Sequence, residues 1–324
     1  MGNATNIYRC EICDNVTANV RYKAREMMFG MYDDFTYFEC GACGCLQLAT
    51  PPADMGCYYP PSYYSLSGSK MARVANWLRD EYAYTKTGIL GRMVFALFPK
   101  FGLQTIKQQQ WPQSARILDV GCGTGAILRV LARHGYQYLH GIDPYLAQDI
   151  TVSSTLRIEK RALDTMTGDW DVIMFNHSLE HISAQVETLR HACRLLAPGG
   201  VCFVRIPTAS SFAWEHYRTD WVNMDAPRHY FLHSHKSINL VAAQAGFHVN
   251  AIVQESSAFQ FWASEQYQRG ISLMAPVSCM TNPLRSAFAW RQIRAYQVQA
   301  DEMNRTNRGD EIALVLTPAA AQHS

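Results

Sequence analysis

The alternation of strand, glycine loop and helix in residues 115–145, "ARILDVGCGTGAILRVLARHGYQYLHGIDPY", is the feature that most restricts the fold of this chain. Ile117–Val120 is a short apolar run typical of a buried strand, and a helical apolar spacing follows the glycine loop. Further strands are predicted at "TLRIEK", "WDVIMFN" and "GVCFVRIP". Strands that alternate with helices pair in parallel and carry helices on both faces. The sequence therefore predicts an α/β fold with a mostly parallel sheet.

The glycine loop predicts a ligand site at the carboxyl ends of these strands. Gly121, Gly123 and Gly125 let the backbone approach a ligand closely, and the following helix offers free N–H groups at its N-terminus. The loop alone is ambiguous, because Gly121-x-Gly123-x-x-Ala126 also satisfies a dinucleotide-binding fingerprint. Under either interpretation Asp143, which ends the second strand, would bind ribose hydroxyls.

Three further features favour one interpretation of the loop. Asp119 precedes it, where a carboxylate attracts a cationic ligand; "GDWDVIMFNHSLEHI" covers the fourth strand, and "LLAPGG" turns into the fifth. Together with "LDVGCGTG", these resemble the class I S-adenosylmethionine-dependent methyltransferases, which implies a Rossmann-like, mostly parallel seven-stranded sheet. In that family the loop cradles the methionine moiety, the second acidic residue binds ribose, and residues after the third strand flank adenine. The resemblance implies these cofactor-binding residues: Asp119, Gly121, Gly123, Gly125, Asp143, Leu163, Asp164 and Asn176.

The resemblance extends over nearly the whole chain. "NHSLEHI", "DWVNMDAPRHYFLHSHKSINLVAAQAGF" and "NRTNRGDEIALVL" are similar to a bacterial subgroup near the ubiquinone O-methyltransferase type. That subgroup carries an N-terminal cysteine-rich segment and a tyrosine-rich stretch, and it is often associated with polysaccharide or natural-product modification. The resemblance is specific for methyl transfer and says little about the methyl acceptor.

The cysteines predict a structural zinc site near the N-terminus. Six of the ten cysteines lie in the first 57 residues, and Cys10, Cys13, Cys40 and Cys43 form two C-x-x-C pairs. Two such turns complete a tetrahedral shell, and four thiolates leave no position open for a substrate. The alternative is two unrelated reduced pairs. Residues 1–66 carry four basic against seven acidic side chains, which is the wrong sign for a nucleic-acid-binding zinc domain.

Composition points to a cytoplasmic globular protein with a small-molecule substrate. Hydrophobic residues make up 48% and charged residues 17% of the chain, and the formal net charge is +2. Proteins that grip phosphate backbones are usually far more basic. The N-terminus lacks the apolar core of a signal peptide, and the most apolar segment is too short to span a bilayer. We therefore expect neither a nucleic-acid nor a membrane partner.

Two histidines are candidates for the catalytic base. Methyl transfer from a sulfonium depends mostly on positioning, but a hydroxyl acceptor must also lose a proton. His181 follows the fourth strand and His229 follows the fifth, so both are predicted at the cofactor cleft, with Glu180 supporting His181. Since His177, Glu180 and His181 form an H-x-x-E-H pattern, where some relatives have E-x-x-E-H around a divalent ion, a second metal is an alternative.

Several side chains are predicted to contact the acceptor. Tyr63 and Tyr64 belong to an aromatic stretch that is either a lid or a stiff linker. Trp221 is predicted to stack on a sugar or ring, and His177 to lie beside the acceptor. Arg228 is predicted to pair with a carboxylate or phosphate, with an internal salt bridge as the alternative.

The sequence thus predicts a zinc-binding domain at 1–66, a helical linker at 67–110 and a methyltransferase domain at 111–324. A helical insertion at about 255–309 is expected to cap the pocket or to pair two subunits into a homodimer. The favoured function is S-adenosylmethionine-dependent methylation of a hydroxyl on a sugar or natural-product intermediate. The alternatives are N- or C-methylation of a similar molecule, such as a nucleotide sugar, and a non-catalytic partner-binding module.

Overall fold

A large sheet flanked by helices and a small N-terminal sheet form the framework of the protein. The structure is a computed structural model that describes residues 8–60, 70–97, 102–283 and 286–319, with side chains left out at 70–73 and 96–97. In these ranges no helix is long and apolar enough to cross a membrane. The strands are β1 (Val20–Arg25), β2 (Asp34–Glu39), β3 (Leu46–Leu48), β4 (Arg116–Val120), β5 (Tyr138–Ile142), β6 (Ile150–Thr151), β7 (Leu156–Glu159), β8 (Trp170–Asn176), β9 (Leu196–Pro207), β10 (Phe231–Leu232), β11 (Phe247–Gln254) and β12 (Glu311–Pro318). The α-helices are α1 (Lys70–Thr85), α2 (Ile89–Leu97), α3 (Leu103–Gln108), α4 (Ala126–Arg133), α5 (Gln185–Leu195), α6 (Phe212–Tyr217), α7 (His235–Gln244), α8 (Phe259–Gln268) and α9 (Trp290–Arg305).

The large sheet confirms the predicted Rossmann-like α/β fold. Its strand order is β11-β12-β9-β8-β4-β5-β7-β6, and β4 pairs in parallel with both β5 and β8. Antiparallel pairing is confined to β12 with its two neighbours and to β6. The described sheet has eight strands instead of the predicted seven. The extra strand, β6, pairs Ile150 with Ile158 at one edge, and two residues are too few to leave a periodic signal in the sequence.

Strand register brings the predicted ligand-binding segments to one edge of the sheet. The central strands are apolar because both of their faces are covered, and Ile117, Leu118 and Ile173 are fully buried. Val120, the last residue of β4, lies beside Ile142 in β5 and Phe175 in β8. The glycine loop, Asp143 and the turn after β8 therefore leave the sheet at neighbouring points.

The N-terminal segment shares its sheet with the rest of the chain. The β1–β2 hairpin and β3 are extended by β10, which pairs Phe231 with Gln47. Beside this junction, Arg228 Nη2 donates to Glu26 Oε1 at 2.9 Å, and neither residue is exposed. The segment is thus tied to the loop that carries His229.

The helical insertion between β11 and β12 also contacts the N-terminal segment. Phe261 of α8 stacks on Tyr296 of α9 with ring centroids 5.5 Å apart. After α8, the backbone N–H groups of Leu273 and Met274 donate to the carbonyls of Met27 and Met28, both at 2.9 Å. These two hydrogen bonds join segments that lie 246 residues apart in the chain.

Candidate functional site

A cavity of about 1290 Å³ opens at the carboxyl ends of β4, β5 and β8. This is where ligands bind in doubly wound α/β sheets. Its wall comes from the glycine loop, from the turn after β5, from residues 161–164, from the turn after β8 and from the start of α5. The lining residues used below are Tyr59, Gly121, Gly123, Asp143, Tyr145, Leu163, Asp164, His177, His181 and Tyr230.

Two glycines of the loop line the cavity with backbone alone. Gly121 has a φ of +73°, and a Cβ there would lie 2.5 Å from the Cβ of Ser178. Gly123 also has a positive φ, and a Cβ there would meet nothing within 4 Å. Gly125 is not in the lining: it precedes α4, and a Cβ there would collide with Ile158 Cδ1. The structure therefore does not support the predicted cofactor contact of Gly125. The absence of a side chain there instead lets the helix pack closely against the strand that contains Ile158.

Asp143 fixes the shape of the loop. Its Oδ2 accepts from the N–H of Gly123 at 3.0 Å, and its Oδ1 accepts from the N–H of Tyr145 at 2.9 Å. The carboxylate lies at the cavity wall with 5% of the residue exposed. It is placed to accept a further hydrogen bond from a ligand hydroxyl.

Asp119 lies beneath the loop and does not line the cavity. The residue is 3% exposed, and its Oδ1 has no hydrogen-bond partner among the described residues. Burial, with the charge of Asp143 adding to it, raises the pKa of Asp119 to about 8. The direct cofactor contact predicted for Asp119 is therefore not supported by its position, and its carboxyl is neutral at pH 7.

Asp119→Asn should remove a pH dependence of stability between pH 6 and pH 9. The folded-state pKa of Asp119 lies above its ordinary value of 3.8, so its contribution to stability is present at low pH and is lost as pH rises through about 8. Across this window the wild type should lose about 2–3 kcal/mol more of unfolding free energy than the variant. Denaturant titrations at both pH values measure this double difference. An equal change in the two proteins would show that Asp119 is ionised at pH 7.

Asn176, the last residue of β8, faces a buried ion pair instead of the cofactor cavity. Its side-chain oxygen accepts from Arg205, which also pairs with Glu255. Asn176 is absent from the lining of the cavity, so the predicted cofactor contact is wrong. By contrast, Leu163 and Asp164 do line the cavity, and their contact with adenine stays a prediction.

Glu180, His181 and His229 form a cluster beside the cavity, in which Glu180 and His229 are buried and His181 is half-buried. Each offers a ligand atom within 4.8 Å of the others. His181 Nδ1 lies 3.0 Å from the carbonyl oxygen of Arg228, and His229 Nδ1 lies 2.8 Å from that of Asn223. These carbonyls favour protons on both Nδ1 atoms, which leaves each Nε2 as an acceptor.

The charges within the cluster follow from burial and from the histidines. Burial, reinforced by His181, lowers the pKa of His229 to about 4, so its imidazole is neutral at pH 7. Burial would raise the pKa of Glu180, but the interaction with His177 and the charges of the other histidines outweigh it and lower the pKa to about 2. Glu180 is therefore a buried carboxylate beside a neutral imidazole.

A second cavity of about 190 Å³ lies next to the first. His177 and His181 belong to the walls of both cavities, whereas His229 lines only the smaller one. Its other residues come from three parts of the chain. They are Met28 of the N-terminal segment, Glu180, Val222, Asn223 and Asp225 near the cluster, and Phe259, Tyr267 and Leu273 of the insertion.

The structure contradicts two of the predicted acceptor contacts. Trp221 has no exposed surface, and its Nε1 donates to Asp310 at 2.9 Å, so the ring is part of the core. Arg228 is likewise fully buried between Glu26 and Asp225, which leaves no donor for an acceptor anion and bears out the internal salt bridge. Tyr63 and Tyr64 lie outside the described residues.

The four predicted zinc ligands lie together. The Sγ atoms of Cys10 and Cys43 are 3.6 Å apart, and those of Cys13 and Cys40 are 3.5 Å apart. A tetrahedral ion with Zn–S bonds of about 2.3 Å requires S···S distances of about 3.8 Å. All four thiols form one group that could hold a metal ion. Gln47 Nε2 also donates to Cys10 Sγ at 2.9 Å, a contact that suits a thiolate.

Sequence reasoning missed two aromatic contacts in the large cavity. Tyr59 stacks on Tyr145 with ring centroids 6.1 Å apart, and its hydroxyl lies 3.1 Å from His181 Nδ1. Tyr59 belongs to the tyrosine-rich stretch, but nothing in that pattern says which tyrosine reaches the cleft. Tyr145 follows the second strand in "DPY", directly after the predicted ribose ligand, and this position was an available signal.

Known proteins resemble the central part of the chain. Residues 96–252 match the family model described as "Methyltransferase domain". A "Ubiquinone biosynthesis O-methyltransferase" from Xanthomonas oryzae is 33% identical over 117 residues, or 31% of this chain and 47% of the relative. One from Maricaulis maris is 25% identical over 190 residues, or 55% of this chain and 66% of the relative. The chain thus spans about half the length of the Xanthomonas relative. The crystal structure of an S-adenosylmethionine dependent methyltransferase from Mesorhizobium loti aligns with 16% identity and a TM-score of 0.43, covering 68% of this chain and 99% of that one.

The strand order and the cavity beyond the carboxyl ends of the strands define a Rossmann-like ligand-binding domain. Within that class, residues 96–252 match the methyltransferase domain family. The predictions of fold class and family are therefore confirmed.

Proposed function

We propose that this protein transfers a methyl group from S-adenosylmethionine to a hydroxyl of a small polar acceptor. The observation that carries the proposal is the meeting of two cavities at His177 and His181. The larger cavity has the open glycine loop and Asp143 that suit the cofactor, and the smaller has groups that can take a proton. S-adenosylmethionine, when bound, supplies an already activated methyl group.

The chain's own residues then have three tasks. Gly121 and Gly123 let the backbone close on the cofactor, and Asp143 accepts from its ribose hydroxyls. His229 or His181 takes the acceptor's proton on Nε2 as the new C–O bond forms and the C–S bond breaks. Glu180 stabilises the resulting imidazolium, because its carboxylate lies within the same cluster.

Other acceptor types make different demands on the cluster. An amine that arrives neutral needs no base, and a carbon acceptor needs a base to form an enolate, so N- and C-methylation remain the alternatives. A partner-binding module without catalysis has no use for an open glycine loop beside a ligand cavity.

A metal-assisted version of the same reaction is the second candidate. Glu180, His181 and His229 could hold a divalent ion, since both imidazoles direct Nδ1 to a backbone carbonyl as metal-bound histidines do. The sequence pattern had pointed to His177 in this role, but His177 is not a member of the group. A bound ion would lower the pKa of the acceptor hydroxyl. Turnover that is lost on chelation and restored by a divalent ion would favour this version.

The proposal is tested by S-adenosylhomocysteine release. Purified protein is incubated with S-adenosylmethionine and panels of sugars, nucleotide sugars, phenols and amines, and product masses locate the methyl group. We expect acceptor-dependent release with a hydroxyl acceptor. Transfer to amines alone would replace the proposal with N-methylation, and failure to bind S-adenosylmethionine would eliminate both.

We also propose that the four thiols hold one structural zinc ion. Cys13→Ser should release the ion and destabilise the protein by roughly 4 kcal/mol, since loss of a structural metal is among the largest single-residue effects. Cys57→Ser, at an exposed cysteine outside the cluster, is the matched control. Elemental analysis should give about one zinc per wild-type chain. Full zinc occupancy in Cys13→Ser would contradict the assignment.

A cytoplasmic location and homodimer formation stay predictions. The insertion contacts Met27 and Met28 of its own chain, which favours its role as a cap over a role in pairing subunits.

A further inference from the structure

Four of the eleven residues that line the smaller cavity lie outside the matched methyltransferase region. Met28 comes from the N-terminal segment, and Phe259, Tyr267 and Leu273 come from the insertion. The family match covers residues 96–252 and therefore none of these four side chains. One part of the cavity wall therefore comes from this chain's additions to the domain.

Backbone hydrogen bonds join the insertion to the N-terminal segment. Leu273 and Met274 donate backbone hydrogen bonds to Met27 and Met28. The loop that contains Met28 is fixed by Glu26, whose carboxylate accepts from the N–H groups of Phe29 and Met31 at 2.9 Å each.

The same loop is bonded to the segment that positions the cluster of Glu180, His181 and His229. The other partner of Glu26 is Arg228, which pairs with Asp225 and donates to the carbonyl oxygen of Tyr58. Since the backbone of Arg228 also accepts from His181, the wall and the cluster are parts of one hydrogen-bonded unit.

Glu180 gives the cavity an unsatisfied acceptor. The residue is 1% exposed, lines the cavity, and has no hydrogen bond to either carboxylate oxygen among the described residues. His177 Nδ1 lies 3.5 Å from Oε1, beyond the normal distance for a strong charged pair. With His177 as its nearest donor, the buried carboxylate is short of hydrogen bonds, so a donor that arrives with a ligand would stabilise it.

The charge of the wall restricts that ligand. The described lining contains two carboxylates, Glu180 and Asp225, three histidines and no lysine or arginine. Arg228 precedes the lining residue His229 in the sequence. It is fully buried, and its guanidinium forms ion pairs with Glu26 and Asp225. An anionic group would lie beside two carboxylates without a lysine or arginine as counter-ion in the described wall.

The volume of the smaller cavity restricts the ligand further. About 190 Å³ corresponds to about six water molecules at about 30 Å³ each, which suits one six-membered ring with its substituents. Met28, Phe259 and Leu273 would cover an apolar face of such a ring, and Glu180 would meet its donors.

We infer that the smaller cavity is the methyl-acceptor site and that it selects a ring-sized group that carries hydroxyl donors and no negative charge. The inference rests on the proposed function, since it assumes that the larger cavity holds the cofactor. Met28, Phe259 and Leu273 are then the residues that determine acceptor specificity.

Matched ring probes test the inference without knowledge of the natural acceptor. The protein, loaded with S-adenosylhomocysteine and treated with chelator, is titrated by calorimetry with cis-1,2-cyclohexanediol and with cyclohexanecarboxylate. We expect the diol to bind at least about tenfold more tightly than the carboxylate. Equal or tighter binding of the carboxylate would overturn the inference, and so would a diol affinity that appears only after a divalent ion is added back.

Two variants place the probe in the cavity. Met28→Trp, at a half-buried position, should fill the cavity and weaken diol binding at least about tenfold. Val277→Trp, at an exposed position of the insertion outside the cavity lining, should not. Glu180→Gln should reduce the preference for diol over carboxylate. Unchanged diol binding in both Met28→Trp and Glu180→Gln would place the probe elsewhere and refute the inference.

S-adenosylhomocysteine affinity, measured in the same samples, distinguishes a failure of the acceptor inference from a failure of the proposed function. If the protein and its variants bind this ligand but the ring probes do not follow the expected order, the acceptor inference fails and the proposed function stands. If the wild type does not bind it, the proposed function fails as well.

Discussion

Asp143→Asn is expected to weaken S-adenosylmethionine binding by about 10- to 100-fold while the protein stays folded. The carboxylate accepts from the N–H groups of Gly123 and Tyr145 on opposite oxygens. An amide can accept from only one of them and turns its own NH₂ toward the other. The variant therefore loses a charged hydrogen bond that shapes the loop, worth about 1.5–3 kcal/mol, together with the charge that a ribose hydroxyl would meet.

Calorimetric titration of the cofactor measures this effect. Asp301→Asn, the same substitution on an exposed site of α9, is the control and should bind as the wild type does. A Kd for Asp143→Asn within a factor of two of the wild type would remove Asp143 from the cofactor site.

His229→Ala is expected to reduce turnover of a hydroxyl acceptor by about 10²- to 10⁴-fold, the usual contribution of a general base. His229 lines the smaller cavity and not the larger one, so S-adenosylmethionine affinity should change little. Because the pKa of His229 is lowered to about 4, its imidazole stays available as a base throughout the neutral range. Its protonation should not limit turnover between pH 6 and pH 8.

Single-turnover rates with saturating cofactor provide the measurement. His248→Ala, at an exposed histidine of β11, is the matched control. If the rate of His229→Ala matches the control, His181 would be the better candidate for the base. A loss of cofactor affinity that accounts for the whole effect would mean that His229 acts on the larger cavity instead.

The fold could be predicted because its determinants are local. Ile117–Val120, the glycine loop and the amphipathic helix follow one another directly, and β8 and β9 also carry apolar runs. The C-x-x-C pairs are equally local, and the fold brings them within bonding reach of one ion. The glycine loop was placed correctly for the same reason.

Side-chain partners could not be predicted where they come from distant segments. Arg228 resembles a free acceptor-binding cation in the sequence, because its partner Glu26 lies 202 residues away. Trp221 looks like an exposed stacking ring until β12 brings Asp310 to its indole nitrogen. Asn176 ends its strand as expected, but Arg205 of the neighbouring strand takes its side chain.

The residues that line the smaller cavity could not be predicted either, because they come from distant segments of the chain. Sequence position assigned Met28 to a zinc domain and Leu273 to a cap, and only their backbone hydrogen bond network shows that the two line one space. His177 was the expected third member of the H-x-x-E-H cluster. The turn after β8 instead directs Glu180 and His181 toward His229.

Calorimetric titration of S-adenosylmethionine into the purified wild-type protein tests the central claim most directly. The large cavity at the carboxyl ends of β4, β5 and β8 should bind one molecule per chain, with a Kd that is unaffected by Met28→Trp and raised by Asp143→Asn. Absence of binding, or binding that is insensitive to Asp143→Asn and lost in Met28→Trp, would contradict it.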